Sequence, residues 1–372
     1  MLLEFSVENF RCYRERMTFD FSQNNISAVF GSNSSGKTNM LQALSRTIRM
    51  IKEQSSIGKV PPLYQPNDKS KPVSVRMKFS DKDNNIFLYE LSVNETSIVK
   101  ERYTALRFKN DVRNKTNWQV FLKMPQRLDT EDLFIDDEDS YNDMLINRVI
   151  LDNNTFASFL FTSKIGLREA VFSLYTFTEQ IFIIINHDLS DFKEDDLLTH
   201  IREDNGNKRA ILRLAKLADP TITDLSIEGE SRIVCSHGDE KRYFSEESSG
   251  TKKTIHMTSI FIHATKTPSI ILIDEIDTHF HPLVLSLWLE EINNTDNQII
   301  FIGHNPLVVD FLIGWKVLKD ISGIIYLYKD GQGIIKMKKG SELYIDEEDK
   351  DKRFSELIYH NWMSYFVEDL VY

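Results

Sequence analysis

Ile26-Ser27-Ala28-Val29-Phe30-Gly31-Ser32-Asn33-Ser34-Ser35-Gly36-Lys37-Thr38 decides the fold. An apolar run leads into a serine- and glycine-rich turn, after which Met40, Leu41, Leu44 and Ile48 recur at helical spacing. A buried strand therefore feeds a loop that opens a helix. In that context Gly31 to Thr38 fits the eight-residue phosphate-loop pattern. Glycines let the backbone fold around an anion, so that amides from Gly31, Ser32, Asn33, Ser34, Ser35 and Gly36 and the positive helix end meet phosphates. Lys37 is expected to reach the β- and γ-phosphates, and the Thr38 hydroxyl to bind Mg²⁺. ATP and Mg²⁺ are the expected ligands.

A phosphate loop alone does not separate a kinase, a GTPase and an ATPase. Further along, Ile270-Ile271-Leu272-Ile273-Asp274-Glu275 sets two carboxylates at the end of a second buried strand. Asp274 suits the acidic anchor that Mg²⁺ needs, and Glu275 suits a base that polarises the attacking water. A third apolar strand, Ile299 to Ile302, ends in Gly303-His304-Asn305-Pro306, where His304 is placed to hydrogen-bond a γ-phosphate and report its presence. Upstream, Glu247-Ser248-Ser249-Gly250-Thr251 precedes an amphipathic helix. Its Ser-x-Gly turn is a second anion site, sensible if Ser248 and Gly250 clamp a nucleotide held by another copy.

Around these motifs, residues 2 to 30 read as short strands. From 72 to 122 Val73, Val75, Met77 and Phe79 alternate with polar residues, which predicts an antiparallel lobe. The acidic run Asp129 to Asp143 reads as a solvated loop, and 145 to 218 as mainly helical. Residues 222 to 235 read as a strand pair, followed by a helix starting near Gly250. The expected domains are 1–128, an ATPase lobe with the phosphate loop and antiparallel strands; 129–220, an acidic loop and helical insert; 221–340, a second ATPase lobe; and a tail, 341–372. His279 and His281 read as loop contacts, and Asp349 and Asp351 as part of a solvated segment.

Composition limits the function. With 45 Lys and Arg against 56 Asp and Glu, the net charge is −11, which disfavours DNA binding driven by overall charge. Any DNA contact has to be local, and Arg209, Arg213 and Lys216 on one helical face are the best candidate stripe. Two cysteines, Cys12 and Cys235, are too few for a disulfide framework and point to a reducing, cytoplasmic setting. The apolar runs are too short to cross a bilayer, so no membrane association is expected.

Phosphate loop, Ser-x-Gly loop, apolar-Asp-Glu and strand-end His, in that order, resemble the ABC-type ATPase heads of the RecF, SMC and Rad50 group. Val7-Glu8-Asn9-Phe10-Arg11 looks like that group's N-terminal strand, which implies that Arg11 approaches the nucleotide. Glu247 to Lys253, with Asp274-Glu275-Ile276-Asp277 and then His281-Pro282, look most like AAA15 or RloA-type ATPases, which include the ATPase component of the PARIS anti-phage system. Ser34 and Ser249 stand where the wider group often has glycine.

The resemblance implies an α/β P-loop NTPase fold, an ABC-ATPase-like head with an antiparallel β lobe and a helical insert. It also implies a homodimer or higher homo-oligomer closed by an ATP sandwich, with Ser248 and Gly250 acting in trans. Related defence ATPases often carry a C-terminal TOPRIM-type nuclease, for which the 68 residues after His304 leave no room. The first expectation is therefore an ATPase controlling a separate nuclease or toxin. The alternatives are a RecF-like ATPase that engages DNA and a nucleotide-gated binding module with negligible hydrolysis.

Overall fold

The computed structural model describes residues 1–52, 60–107, 118–123, 169–184, 194–203, 205–229, 231–266, 269–278, 285, 289, 297–314, 318, 323–343 and 353–358. In chain order its elements begin β1 (Leu2–Glu8), β2 (Met17–Asp20), β3 (Ile26–Gly31), α1 (Lys37–Lys52), β4 (Val73–Ser80), β5 (Ile86–Val93), β6 (Ile98–Arg107) and β7 (Trp118–Lys123). They continue α2 (Glu169–Glu179), β8 (Ile181–Ile184), α3 (Glu194–Glu203), α4 (Asn205–Ala218), β9 (Asp224–Glu228), β10 (Arg232–His237), β11 (Glu240–Tyr243) and α5 (Ser249–Lys266). The last are β12 (Ile270–Ile273), β13 (Gln298–Ile302), α6 (Leu307–Gly314), β14 (Ile324–Lys329) and β15 (Ile335–Lys339). They fall into two compact units. One comprises Met1–Asn24, Ser32–Ile183 and Leu327–Met337, and the other Asn25–Gly31, Ile184–Tyr326 and Lys338–Tyr372.

The first unit contains a six-stranded sheet in the order β2-β1-β4-β5-β6-β7. The alternation read from the sequence sets its geometry: Val73, Val75, Met77 and Phe79 are buried while their neighbours are half-buried. The antiparallel register pairs Val75 with Leu91, Met77 with Tyr89 and Phe79 with Phe87, so one face collects the apolar side chains. Phe177 of α2 stacks on Phe79 at 4.1 Å between ring centroids and seals that face.

In the second unit β3, β12 and β13 are buried on both sides. β3, β13 and β12 lie side by side and run parallel, with Val29 opposite Ile302 and Phe301 opposite Ile273. Ile270–Ile273 and Gln298–Ile302 are buried throughout, as parallel strands covered on both faces require. A separate antiparallel sheet, β11-β10-β9, packs Leu225, Ile233 and Cys235 against Leu197, Ile211, Ala215 and Ile255 of α3, α4 and α5.

Two readings change in detail. Ile181–Ile184, inside the stretch read as helical, is a strand, because a four-residue apolar run carries no periodicity to tell strand from helix. The strand pair at 222 to 235 is extended by β11, whose residues are all exposed and so lack the apolar signal. The acidic run 129–143, His279, His281, Asp349 and Asp351 lie outside the described residues.

Candidate functional site

The second unit brings three of the sequence motifs to one edge. Because β3, β13 and β12 are parallel neighbours, their C-terminal ends present Gly31, Gly303-His304 and Asp274-Glu275 side by side. That edge is where open α/β sheets bind ligands.

The phosphate loop leaves β3 at Gly31, whose φ of 151° is open only to glycine, and passes Ser34 at φ 62° and Gly36 at φ 98° before α1 begins. A Cβ on residue 36 would lie 2.9 Å from Cys12 Sγ and 3.0 Å from the Tyr13 hydroxyl, which itself donates to the Gly36 carbonyl at 2.8 Å. Lys37 is 4% exposed and curls back so that its ammonium donates to the Ser32 carbonyl at 2.9 Å. Ser35 is buried, and its hydroxyl finds no hydrogen-bond partner among the described residues. A ring closed by its own lysine, with a spare buried hydroxyl and no room for a Cβ, fits a phosphate chain. Thr38 stands in the first turn of α1, and Asp274 ends β12 in the second unit.

Arg11, at φ 50°, is fixed to the start of α1. Its guanidinium donates to Asn39 Oδ1 at 2.9 Å, to Gln42 Oε1, and to Gln65 Oε1 at 2.5 Å.

Asp274 closes β12 at 1% exposure, and Glu275 follows at φ 49°, a strained conformation for a side-chain-bearing residue. His304 is exposed, with Nε2 4.0 Å from Glu275 Oε1. Gly303 has to be glycine, since a Cβ there would meet the Phe30 ring at 2.7 Å. The residue the sequence reading passed over is Asp277. Its Oδ2 accepts the amide of His304 at 2.7 Å and the amide of Asn305, and so fixes the turn that carries the histidine. Only the pairing of β12 with β13 brings these groups together, so Asp277 gave no local signal beyond its place in the acidic motif.

The Ser-x-Gly loop opens α5. Ser248 and Ser249 are exposed and Gly250 is half-buried. Ser248 Oγ accepts the Thr251 amide at 3.1 Å and lies 2.9 Å from the Thr251 hydroxyl, so this exposed serine caps the helix. One turn on, Lys253 is 3% exposed. Burial pushes its ammonium down to about 8, while Glu275 and Asp277 pull it back up. Sequence reading gave Lys253 no role of its own beyond its place in the stretch Glu247 to Lys253. Arg209, Arg213 and Lys216 are exposed on α4.

Over residues 26–310 the chain matches the family described as "AAA domain, putative AbiEii toxin, Type IV TA system". No curated protein matches it in sequence. Among solved structures it is similar to an SmcHead bound to the C-winged helix domain of ScpA, with a TM-score of 0.54 and 14% identity, covering 94% of this chain and 99% of that one. An Smc head domain with an extended coiled coil bound to the C-terminal domain of ScpA, derived from Pyrococcus furiosus, gives 0.47 at 14% identity, covering 91% and 95%. The SMC head domain from Thermotoga maritima gives 0.44 at 13%, covering 91% and 98%. The first of these likenesses is one of fold, a P-loop, ABC-ATPase-like α/β head. The chain belongs to the AAA-domain family that it matches.

Proposed function

We propose that this AAA-domain chain is a Mg²⁺-dependent ATPase that dimerises around ATP and uses the cycle to control a separate effector, a nuclease or toxin, in anti-phage defence. The observation that carries the enzymatic reading is the shared strand edge, where Gly31, Asp274-Glu275 and Gly303-His304 end three adjacent parallel strands. Lys37 exchanges the neutral Ser32 carbonyl for charged phosphate oxygens, the stronger acceptors. Thr38 and Asp274 hold Mg²⁺, which when bound offsets phosphate charge. Glu275, half-exposed on its strained backbone, takes the proton of the attacking water. His304 hydrogen-bonds the γ-phosphate and reports its presence, and Arg11 contributes a fixed positive charge. Ser248 and Gly250 reach the nucleotide of a second copy, a reading supported by the solvent exposure of Ser248 and Ser249.

The effector reading is supported by the family description, which names a toxin and a TA system. The SmcHead that shares this fold is bound to the C-winged helix domain of ScpA, which supports a head of this type as a platform for a partner protein. Steady-state phosphate release tests the enzyme. Lys37→Ala is expected to lose nucleotide binding, and Glu275→Gln to retain ATP while turnover falls about 10²- to 10⁴-fold. Light scattering of Glu275→Gln with Mg-ATP is expected to give twice the protomer mass or more. A Glu275→Gln protein that hydrolyses like the parent, or one that is fully occupied yet monomeric, overturns the reading.

A second reading, engagement of duplex DNA, is favoured by the exposed stripe Arg209, Arg213 and Lys216. It predicts ATP-dependent binding that weakens steeply with salt.

A further inference from the structure

The residue immediately before the Ser-x-Gly loop, Glu247, has a carboxylate only 3% exposed, and a buried carboxylate needs hydrogen bonds or a partner charge. It has both kinds of neighbour. Oε1 lies 2.8 Å from Nε2 of His237, whose ring is 5% exposed. The other ring nitrogen, Nδ1, is 2.7 Å from the Thr221 hydroxyl, and that hydroxyl donates to Asp219 Oδ1 at 2.6 Å. The Thr221 amide donates to the same Asp219 oxygen at 2.9 Å. Cys235 is fully buried on β10; burial and the Glu247 carboxylate push its thiol up to about 12, so it remains an S–H.

The chain of contacts runs in one direction. With the Thr221 hydroxyl donating to Asp219, Nδ1–H donates to Thr221, and Nε2 meets the Glu247 carboxylate. Each ring nitrogen already has a short partner, so the group reads as a mechanical clasp. It ties the turn after α4 (Asp219, Thr221) and β10 (Cys235, His237) to the residue preceding Ser248. Ser248 in turn caps α5, so the backbone entering the loop is held from beneath while its serines face solvent.

We infer that His237 is a positioning residue for the loop Ser248–Gly250: through Glu247 it sets the orientation in which that loop meets a nucleotide held by a second copy. The inference rests on the trans reading proposed above. It adds that the loop's competence is controlled by a buried side chain that touches no nucleotide. None of the clasp's residues belongs to the phosphate loop, so binding there is expected not to depend on it.

Three measurements on full-length His237→Ala, His237→Gln and Glu247→Gln test this. Affinity for a fluorescent ATP analogue is expected to stay within about twofold of the parent, while kcat falls about ten- to a hundredfold in His237→Ala, as a small misplacement of an active group requires. Assembly with Mg-ATP shifts to higher protein concentration. His237→Gln keeps a donor toward Glu247 and is expected to recover most of kcat. Hydrogen exchange of the 248–251 amides is expected to quicken in His237→Ala, with exchange at 32–38 unchanged. Unaltered exchange at 248–251 overturns the inference, as does equal loss of affinity and kcat. The exchange result is independent of hydrolysis, so a parent protein that neither hydrolyses nor assembles would defeat the trans reading separately from the clasp. Should His237→Ala not fold, Glu247→Gln, which keeps a neutral hydrogen bond to Nε2 but loses its charge assistance, is expected to move exchange at 248–251 and kcat in the same direction by a smaller amount.

Discussion

The phosphate loop and the Ser-x-Gly loop use the same materials, serines and glycines leading into a helix N-terminus, yet they are finished differently. In the first, Ser35, Gly36 and Lys37 are buried, the lysine sits on its own loop's carbonyl, and Cys12 and Tyr13 press against Gly36. In the second, Ser248 and Ser249 face solvent, and the fixing contacts lie underneath, at Glu247 and His237. The first loop is fixed by its own buried residues, and the second carries its serines on an exposed surface. Changes in the first should therefore act on affinity at any protein concentration. Changes in or beneath the second should act on turnover and assembly, and depend on concentration.

The strongest attempt to break this contrast is Gly36→Ala. Position 36 has φ 98°, and a Cβ would sit 2.9 Å from Cys12 Sγ and 3.0 Å from the Tyr13 hydroxyl, so the loop has to open. We expect nucleotide affinity measured by calorimetry to fall by at least a hundredfold, about 3 kcal/mol. Affinity unchanged in a folded protein would mean that the first loop is not the tight cradle described.

Next is the charge beneath the second loop. Lys253 loses its proton near pH 8 in the folded protein, against 10.5 when unfolded. Below pH 8 both states hold the proton and the cost of burying the ammonium is fully present. From pH 8 to 10.5 the unfolded state binds more protons, so stability rises with pH. Lys253→Met lacks this dependence. Urea unfolding in Mg²⁺-free buffer should therefore show the parent gaining on Lys253→Met across that window, by at most about 3 kcal/mol and nearer half of that after solvent relaxation. A flat difference would mean that the ammonium is better solvated than its 3% exposure implies.

A smaller effect tests the support of His304. Asp277 Oδ2 accepts the amides of both His304 and Asn305. Asp277→Ala should lower kcat about tenfold with little change in KM, because a displaced turn misplaces a group needed for reaction rather than for binding. Asp277→Asn, which keeps an oxygen acceptor, should lose less. Equal losses in the two would assign the effect to charge and not to position.

How much of this was legible in the sequence follows from how local each feature is. Gly31 to Thr38 is contiguous, and the alternation of Val73 to Phe79 and the apolar runs ending at Ile273 and Ile302 carry their own period, so the strands and the loop could be read directly. Asp277 could not, because its partners are 27 and 28 residues away and meet it only across β12 and β13. The same holds for the His237–Glu247 contact, which needs β10 and the start of α5 to pack around Cys235. Ile181–Ile184 was ambiguous in principle, since four apolar residues fit a strand or a helix turn equally well.

The smallest expected effect separates the two duties of Ser248. Its hydroxyl caps α5 by accepting the Thr251 amide at 3.1 Å, and the residue itself is exposed. Ser248→Ala removes both duties, and loss of the cap alone should cost about 1 kcal/mol of stability. Ser248→Asp keeps an acceptor for the Thr251 amide and so restores the cap, but puts a carboxylate where a phosphate of a second copy is expected. Thermal unfolding should therefore rank Ser248→Asp near the parent and above Ser248→Ala, whereas ATP-dependent assembly should rank Ser248→Asp below both. If assembly instead follows stability, Ser248 acts only as a helix cap, and the outward face of this loop has no nucleotide to meet.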